Sequence, residues 1–368
     1  MTTDAEDRST WPRNGQIIRR DELLRLIEEN GGPEGLDLRG TLFVGDGPSG
    51  QPRQNPIALS PDALAPLAEA YRQANGGFEP PWLTREGGMD LSTVHLQGAN
   101  LHLAQLQGAC LVHAQVQEAH LVHAQLQAAD LWGAQLQRAG LVYAQLQGAR
   151  LWYAQLQGAD LQHAQLHAID MYDVISLDGT RWYGALLDHT LIRRESLGKA
   201  TGDEIEAHDN RTAEAYSQAT EAYLLLKNNF NQIGRYEDAS WAYVKEQQME
   251  KMAYHWEWRS HGWHAWGSLW RWLRNWAYEL ATGYGERPWN PVAWGGVIIL
   301  GFAVGFTRAI GNFWDALIYS LATFATFNLA DTGPTGRGAD VASSVEALLG
   351  IAVLALVIFT LGNKMSRG

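Results

Sequence analysis

Thr326, Asn328 and Asp331 place a hydroxyl, an amide and a carboxylate close together near the C-terminus. Oxygens of these three kinds are ligands for cations, and the carboxylate adds a negative charge that attracts them. The three side chains close the segment Asn312-Phe-Trp-Asp-Ala-Leu-Ile-Tyr-Ser-Leu-Ala-Thr-Phe-Ala-Thr326-Phe-Asn-Leu-Ala-Asp331-Thr-Gly-Pro334. It is too short and too polar at its end to cross a bilayer, and too apolar for a surface loop. A helix that enters a membrane halfway and returns as extended backbone is tolerated only where that backbone is buried in protein or lines a water-filled pore. The negative C-terminal end of such a helix adds to the preference for cations. No other chemistry competes. There is no Walker loop, zinc spacing or nucleophile motif, so neither an enzyme nor a cofactor is expected. His113, His123 and His163 lack the close spacing and the carboxylate or Cys companions of a metal site, so no metal is expected either.

Two apolar segments must hold this stretch in place. Val292–Thr307 carries no charge, and Ala347–Leu361 contains only apolar residues, Gly and Thr360. With their flanks, 289–310 and 341–362, both reach the length of about 20 residues that spans the hydrocarbon layer. Before them, Trp256 to Trp294 holds nine of the chain's 16 tryptophans, interleaved with Arg259, Arg271, Arg274 and Arg287. Indole rings favour the boundary between lipid and water, so 256–288 reads as a helix lying on the membrane surface. Arg271, Arg274 and Arg287 before the first span and Lys364 and Arg367 after the second place both termini in the cytoplasm, in a multi-pass protein of the inner (plasma) membrane. A second glycine-rich stretch, Ala281-Thr-Gly-Tyr-Gly-Glu286, has no apolar span before it. Its Gly283 and Gly285 read as the turn joining surface helix to first span.

The order of these parts resembles the pore loop of two-span potassium-channel-like proteins. In that family a short helix of the type x-A-L-Y-x-S-x-x-T-x-T-T precedes T-V-G-Y-G-D, and a Pro follows. Here Asp315-Ala-Leu-Ile-Tyr319-Ser320, Thr323, Thr326, Asp331 and Pro334 fall on matching places, and the resemblance covers about residues 290–368. It implies a homo-tetramer around one pore in a lipid bilayer, with 312–334 as pore helix and filter and Asp315, Tyr319, Ser320 and Thr323 on the pore helix. Thr326, Phe327, Asn328, Leu329, Ala330 and Asp331 would form the filter. The second span resembles the family's inner helix, with Glu346, Gly350, Leu354 and Ile358 as pore-lining positions. Where the family has V-G-Y-G, this chain has Phe327-Asn328-Leu329-Ala330. The lost glycines are what let successive carbonyls all face the ion. A cation channel with little preference among monovalent cations is therefore expected, and no Arg-rich voltage-sensing helix is present.

The first half of the chain has a different grammar. Between Leu91 and Leu166 an apolar residue returns every fifth position, always Leu except Val116, and Ala stands two places before it from Ala99 to Ala164. A period of five belongs to a repeat architecture. Stretches such as Ala104-Gln-Leu-Gln-Gly-Ala109-Cys-Leu111 resemble the pentapeptide-repeat family, A-[DN]-L-x-x. That resemblance implies a right-handed quadrilateral β-helix with four pentapeptides per turn. Gln-rich units alternate with units carrying aromatic, Val or His residues, so opposite sides of the square match. Trp132 and Trp152 stand one above the other with Val112 in the same column, either as a stiffening ladder or as a docking face. The register slips at Ile175–Leu177 and the module fades by Ile192. The domain order expected is a disordered tail (1–19), a cap (20–88) with a helix near Ser60–Gln73, the β-helix (89–192), a helical connector (203–255) and the membrane parts. The connector resembles a single tetratricopeptide-like hairpin with Gly234 at its turn.

A net charge of −12 and a pI of about 5.4 argue against a nucleic-acid partner. The lone Cys110 fits a reducing compartment, and the polar first 30 residues carry no secretory signal. Two other functions compete with a channel. A membrane-tethered repeat scaffold without conduction would be monomeric in detergent. A DNA-mimicking topoisomerase inhibitor, as some pentapeptide-repeat proteins are, needs acidic columns; residues 91–170 hold only Glu118, Asp130, Asp160 and Asp170 against Arg138 and Arg150.

Overall fold

The structure, a computed structural model, describes residues 16–44, 57–171, 173–287, 289–325 and 337–365. The chain divides into two units, Met1–Ala253 and Tyr254–Gly368.

Period five becomes a stack of coils in the first unit. Asp90 bridges in parallel to Cys110, His95 to Gln115, Asn100 to His120 and Gln105 to Gln125, giving four single-residue bridges per twenty-residue coil, and the pattern continues to Gln145↔Gln165. Within each step Leu and Ala point inward and are excluded from water. Corners are tight turns in which the Ala N–H bonds the carbonyl of the preceding Leu, as in Ala104 to Leu101 at 3.0 Å. The residue before each Ala takes left-handed backbone, with φ 58° at His123, 59° at Tyr143 and 57° at His163. Outside glycine that conformation costs roughly 1–2 kcal/mol per residue. It is held here because the residue's own N–H bonds the next coil, as His123 to the Val142 carbonyl at 2.9 Å, while the following Ala N–H closes the corner, as Ala124 to the Leu121 carbonyl at 3.0 Å.

At its first end the stack continues into the cap. Strand β1 (Ile17–Arg19) pairs in parallel with β2 (Leu42–Val44), Leu42 bridges Asn100, Asp37 bridges His95 and Ala58 bridges Gln105. Residues 17–19 are thus an outermost rung and not part of a tail. Ile18 is fully buried, which is the reason they are ordered there. Helix α1 (Arg20–Asn30) buries Leu23, Leu24, Leu26 and Ile27, and α2 (Pro61–Ala74) buries Leu64 and Ala68.

At the other end one added residue changes the offset from 20 to 21, so Gln155 bridges Ser176 and Gln165 bridges Leu186. Ile175 is expelled to the surface while Leu177, Trp182, Leu187, Ile192 and Leu197 resume the inward column. The coil therefore runs past Ile192 to Leu197, because Thr180 and Thr190 replace Ala and return their buried hydroxyls to the Leu156 and Leu166 carbonyls. Three helices follow: α3 (Gly202–Asn210), α4 (Ala213–Gln232) and α5 (Tyr236–His261), with Gly234 at φ +76° in the turn between the last two.

In the second unit the Trp-rich stretch is not one helix. Gly262, at φ +55°, ends α5, and α6 (Trp266–Thr282) starts after a single 3-10 turn. Then come α7 (Trp289–Ile310), α8 (Phe313–Phe324) and α9 (Arg337–Met365). Gly283 and Gly285 form the turn after α6, with the Arg287 N–H bonded to the Thr282 carbonyl at 3.1 Å.

Candidate functional site

Helices α7 and α9 are long and apolar enough to cross a membrane over Trp289–Ile310 and Ala339–Gly362. Only 17% and 22% of those windows are buried. Helices this apolar at the centre of a soluble protein would be mostly covered. Between them α8 is a 12-residue helix, about 18 Å long at 1.5 Å per residue. Its start is fixed by Asn312, whose Oδ1 accepts the Trp314 N–H at 3.0 Å while its Nδ2 donates to Asp315 Oδ2 at 3.1 Å.

Side chains of α8 reach both long helices. The Ser320 hydroxyl lies 2.8 Å from the Ile299 carbonyl of α7 and within bonding reach of Glu346 Oε1 on α9. Tyr319 meets Ser343 of α9 at 3.0 Å, and its ring stands edge-on to Phe306 at 5.3 Å. Backbones approach closely at the end of α8. A Cβ on Gly350 would lie 2.0 Å from the Phe324 carbonyl oxygen, and one on Gly295 would lie 3.2 Å from the Phe324 ring.

The expected site residues thus separate. Ser320, Tyr319, Glu346 and Gly350 come together at the packed centre, Asp315 is exposed in the first turn of α8, and Thr323 is half-buried near its end. Leu354 and Ile358 face outward, exposed by 60% and 63%, while Glu346 is fully covered. Thr326, Phe327, Asn328, Leu329, Ala330, Asp331 and Pro334 lie outside the described residues.

On α6 the polar side chains Ser268, Asn275 and Thr282 are buried, whereas Trp266, Trp270, Leu273, Trp276 and Leu280 form an exposed apolar stripe. That inversion suits a helix whose outer face meets something apolar. Trp294 of α7 donates its indole N–H to the Leu280 carbonyl at 2.9 Å, tying the two helices together.

On the coil, His123, Tyr143 and His163 form a parallel stack with ring centroids 4.8 and 4.7 Å apart. His113 stands edge-on to Trp132, and Trp132 to Tyr153. His113, His123 and His163 are rungs of aromatic ladders. On the alternate faces Gln side chains bond between coils, as Gln137 to Gln155 at 2.6 Å. Two columns stiffen the same stack.

The sequence does not reveal what α3 to α5 do. The Asp203 carboxylate accepts the Trp182 N–H at 2.6 Å and the Tyr183 N–H at 3.3 Å. Asn229 accepts the Thr190 N–H at 3.0 Å and donates to the Thr190 carbonyl at 2.7 Å; Gln232 takes the His189 N–H and Arg235 reaches the Ile192 carbonyl. These side chains satisfy the edge that the last coil would otherwise expose. What reads as a connector is also a cap. Burial, opposed by those two backbone bonds, pushes the Asp203 carboxyl up to about 6.

Overlapping stretches at 90–121, 104–141, 119–151 and 140–175 match the family model for pentapeptide repeats, eight copies long. Residues 90–175 are pentapeptide repeats. Helices α7 to α9 lie outside that match, and no curated protein matches the chain significantly. Among solved structures, a pentapeptide repeat protein (Rfr23) from the cyanobacterium Cyanothece 51142 is 31% identical over 29% of this chain and 65% of its own, with a TM-score of 0.18. A trypsin-treated form of QnrB1, a plasmid-mediated fluoroquinolone resistance protein, is 17% identical over 43% and 65%, with a TM-score of 0.23. The pentapeptide repeat protein alr5209 from Nostoc Pcc 7120 is 24% identical over 36% and 98%, with a TM-score of 0.15. The chain spans 65% of the length of the first two.

Proposed function

We propose that this chain is one subunit of a tetrameric pore-loop channel that conducts monovalent cations with weak selectivity. Its pentapeptide repeats would form a cytoplasmic right-handed quadrilateral β-helix that serves assembly or gating. The observation that carries the reading is α8: a half-membrane-length helix between two span-length helices, bonded to both through Ser320. A lone half-helix in lipid leaves its last carbonyls without partners, which is tolerable where they face a watery pore. Four such helix ends, with an Asp331 ring at the mouth, would favour cations.

Two further observations support a membrane assembly. The outward Trp stripe of α6 suits the headgroup layer. A groove of about 570 Å³ between α7 and α9, where Gly301, Gly305, Ala309 and Ala342 stand beside Ile298, Phe302 and Phe306, offers an apolar surface with small residues on which a helix of a neighbouring subunit could pack in lipid.

Topology provides the test. In a Cys110→Ser background, Gly336→Cys is expected to react with an impermeant thiol reagent outside intact cells, and Ser366→Cys is expected not to. Labelling at 366 with protection at 336 would remove the pore-loop arrangement.

A further inference from the structure

Proton counting at Ser320 points to a site that the pore reading does not contain. A serine hydroxyl has one proton to donate and two lone pairs that accept. Ser320 Oγ stands 2.8 Å from the Ile299 carbonyl and in contact with Glu346 Oε1. A carbonyl oxygen and an ionised carboxylate can only accept, so one serine proton cannot serve both. With Glu346 ionised, one of the two contacts would press two acceptors together. Its other oxygen, Oε2, has no partner among the described residues, and the side chain is fully covered by α7, α8 and α9.

A neutral Glu346 resolves the count. Its O–H donates to Ser320 Oγ, Ser320 donates to the Ile299 carbonyl, and each proton has one acceptor. We propose that Glu346 is a proton-binding site, held as the neutral acid, whose proton completes a hydrogen-bond relay from α9 through α8 to α7. Loss of the proton breaks the relay and leaves a charge in an apolar three-helix contact, where an unpaired charge is strongly disfavoured. Helix α8 then loses the bond that fixes it midway along its length.

Among the described residues no neighbouring charge offers an alternative partner. The other charged or titratable side chains of these helices are Arg308 on α7, Asp315 and Tyr319 on α8, and Arg337, Asp340 and Lys364 on α9. Tyr319 is engaged with Ser343. Arg308 stands nine residues from Ile299, Asp315 five from Ser320 and Asp340 six from Glu346, separations of about 13, 8 and 9 Å along their helices. Among the described residues no ion pair to Glu346 is present.

The functional consequence rests on the channel reading: alkaline pH would unseat α8 and close conduction. The test uses the full chain in bilayers and three readouts. First, the infrared spectrum at neutral pH is expected to contain a carboxylic-acid carbonyl band that vanishes in E346Q and shifts in S320A; identical spectra for wild type and E346Q would overturn the proposal. Second, wild type is expected to lose thermal stability as pH rises, while E346Q, whose amide still donates to Ser320 but cannot ionise, is expected to hold it. Equal pH dependence in both would also overturn it. Titration of the band in wild type alone covers the case in which a variant fails to fold. Third, current through wild type should fall on alkalinisation and persist in E346Q; current equally sensitive in both counts against the relay. A protein that conducts nothing sinks the channel reading, and the first two readouts still decide the proton site.

Discussion

At the residue scale, the partners of two buried carboxyl groups, Asp203 and Glu346, are not visible in the sequence. Asp203 is one charge among many in a helical stretch, and its partners lie about twenty positions earlier at the rim of the last coil. Its carboxyl, pushed up to about 6 by burial from an ordinary value of 3.8, binds its proton more tightly folded than unfolded. The stability that this proton contributes is fully present below the unfolded value and is lost as pH rises through about 6. Asp203→Asn removes that dependence. The stability of the variant relative to wild type is therefore expected to fall by about 2–3 kcal/mol between roughly pH 7.5 and pH 4. Denaturation of the repeat unit followed by circular dichroism at several pH values checks this; a constant difference would mean that Asp203 is charged throughout. Glu346 shows the same blindness. It lies 26 positions from Ser320, so their contact cannot be read from local spacing.

At the element scale, legibility follows how often a constraint is repeated. One inward Leu and one inward Ala per step recur along the coil, so the repeat and its register slip at Ile175 are plain from the sequence. Trp289–Ile310 and the second apolar span are equally plain, because each needs only length and hydropathy. The coil's end and the cap at α3 to α5 are not, since each rests on single polar contacts such as Asn229 to Thr190. The inward column makes a sharp prediction. Ala134 is fully buried, so Ala134→Trp is expected to overpack the coil and destabilise it by about 1–3 kcal/mol or more. Val112→Trp, on the outer column beneath Trp132, is expected to change stability by less than about 0.5 kcal/mol. Thermal melts of the two variants provide the comparison, and equal effects would contradict the assignment of inward and outward positions.

At the scale of the whole molecule, the chain joins pentapeptide repeats to a helical unit with two span-length helices, and the proposed function lies in the second. The groups that would select ions, Thr326 to Asp331, are named because the segment around them resembles the pore loop of potassium-channel-like proteins. The proposed pore around them is built from four copies of the chain. Planar-bilayer recording from the purified protein, with K⁺, Na⁺ and Cl⁻ gradients imposed in turn, addresses this claim most directly. Reversal potentials are expected to follow the cations with little distinction between K⁺ and Na⁺, and Asp331→Asn is expected to reduce the current most at low ionic strength, where screening is weakest. Reversal potentials that track Cl⁻, or bilayers that stay silent with correctly inserted protein, would contradict it.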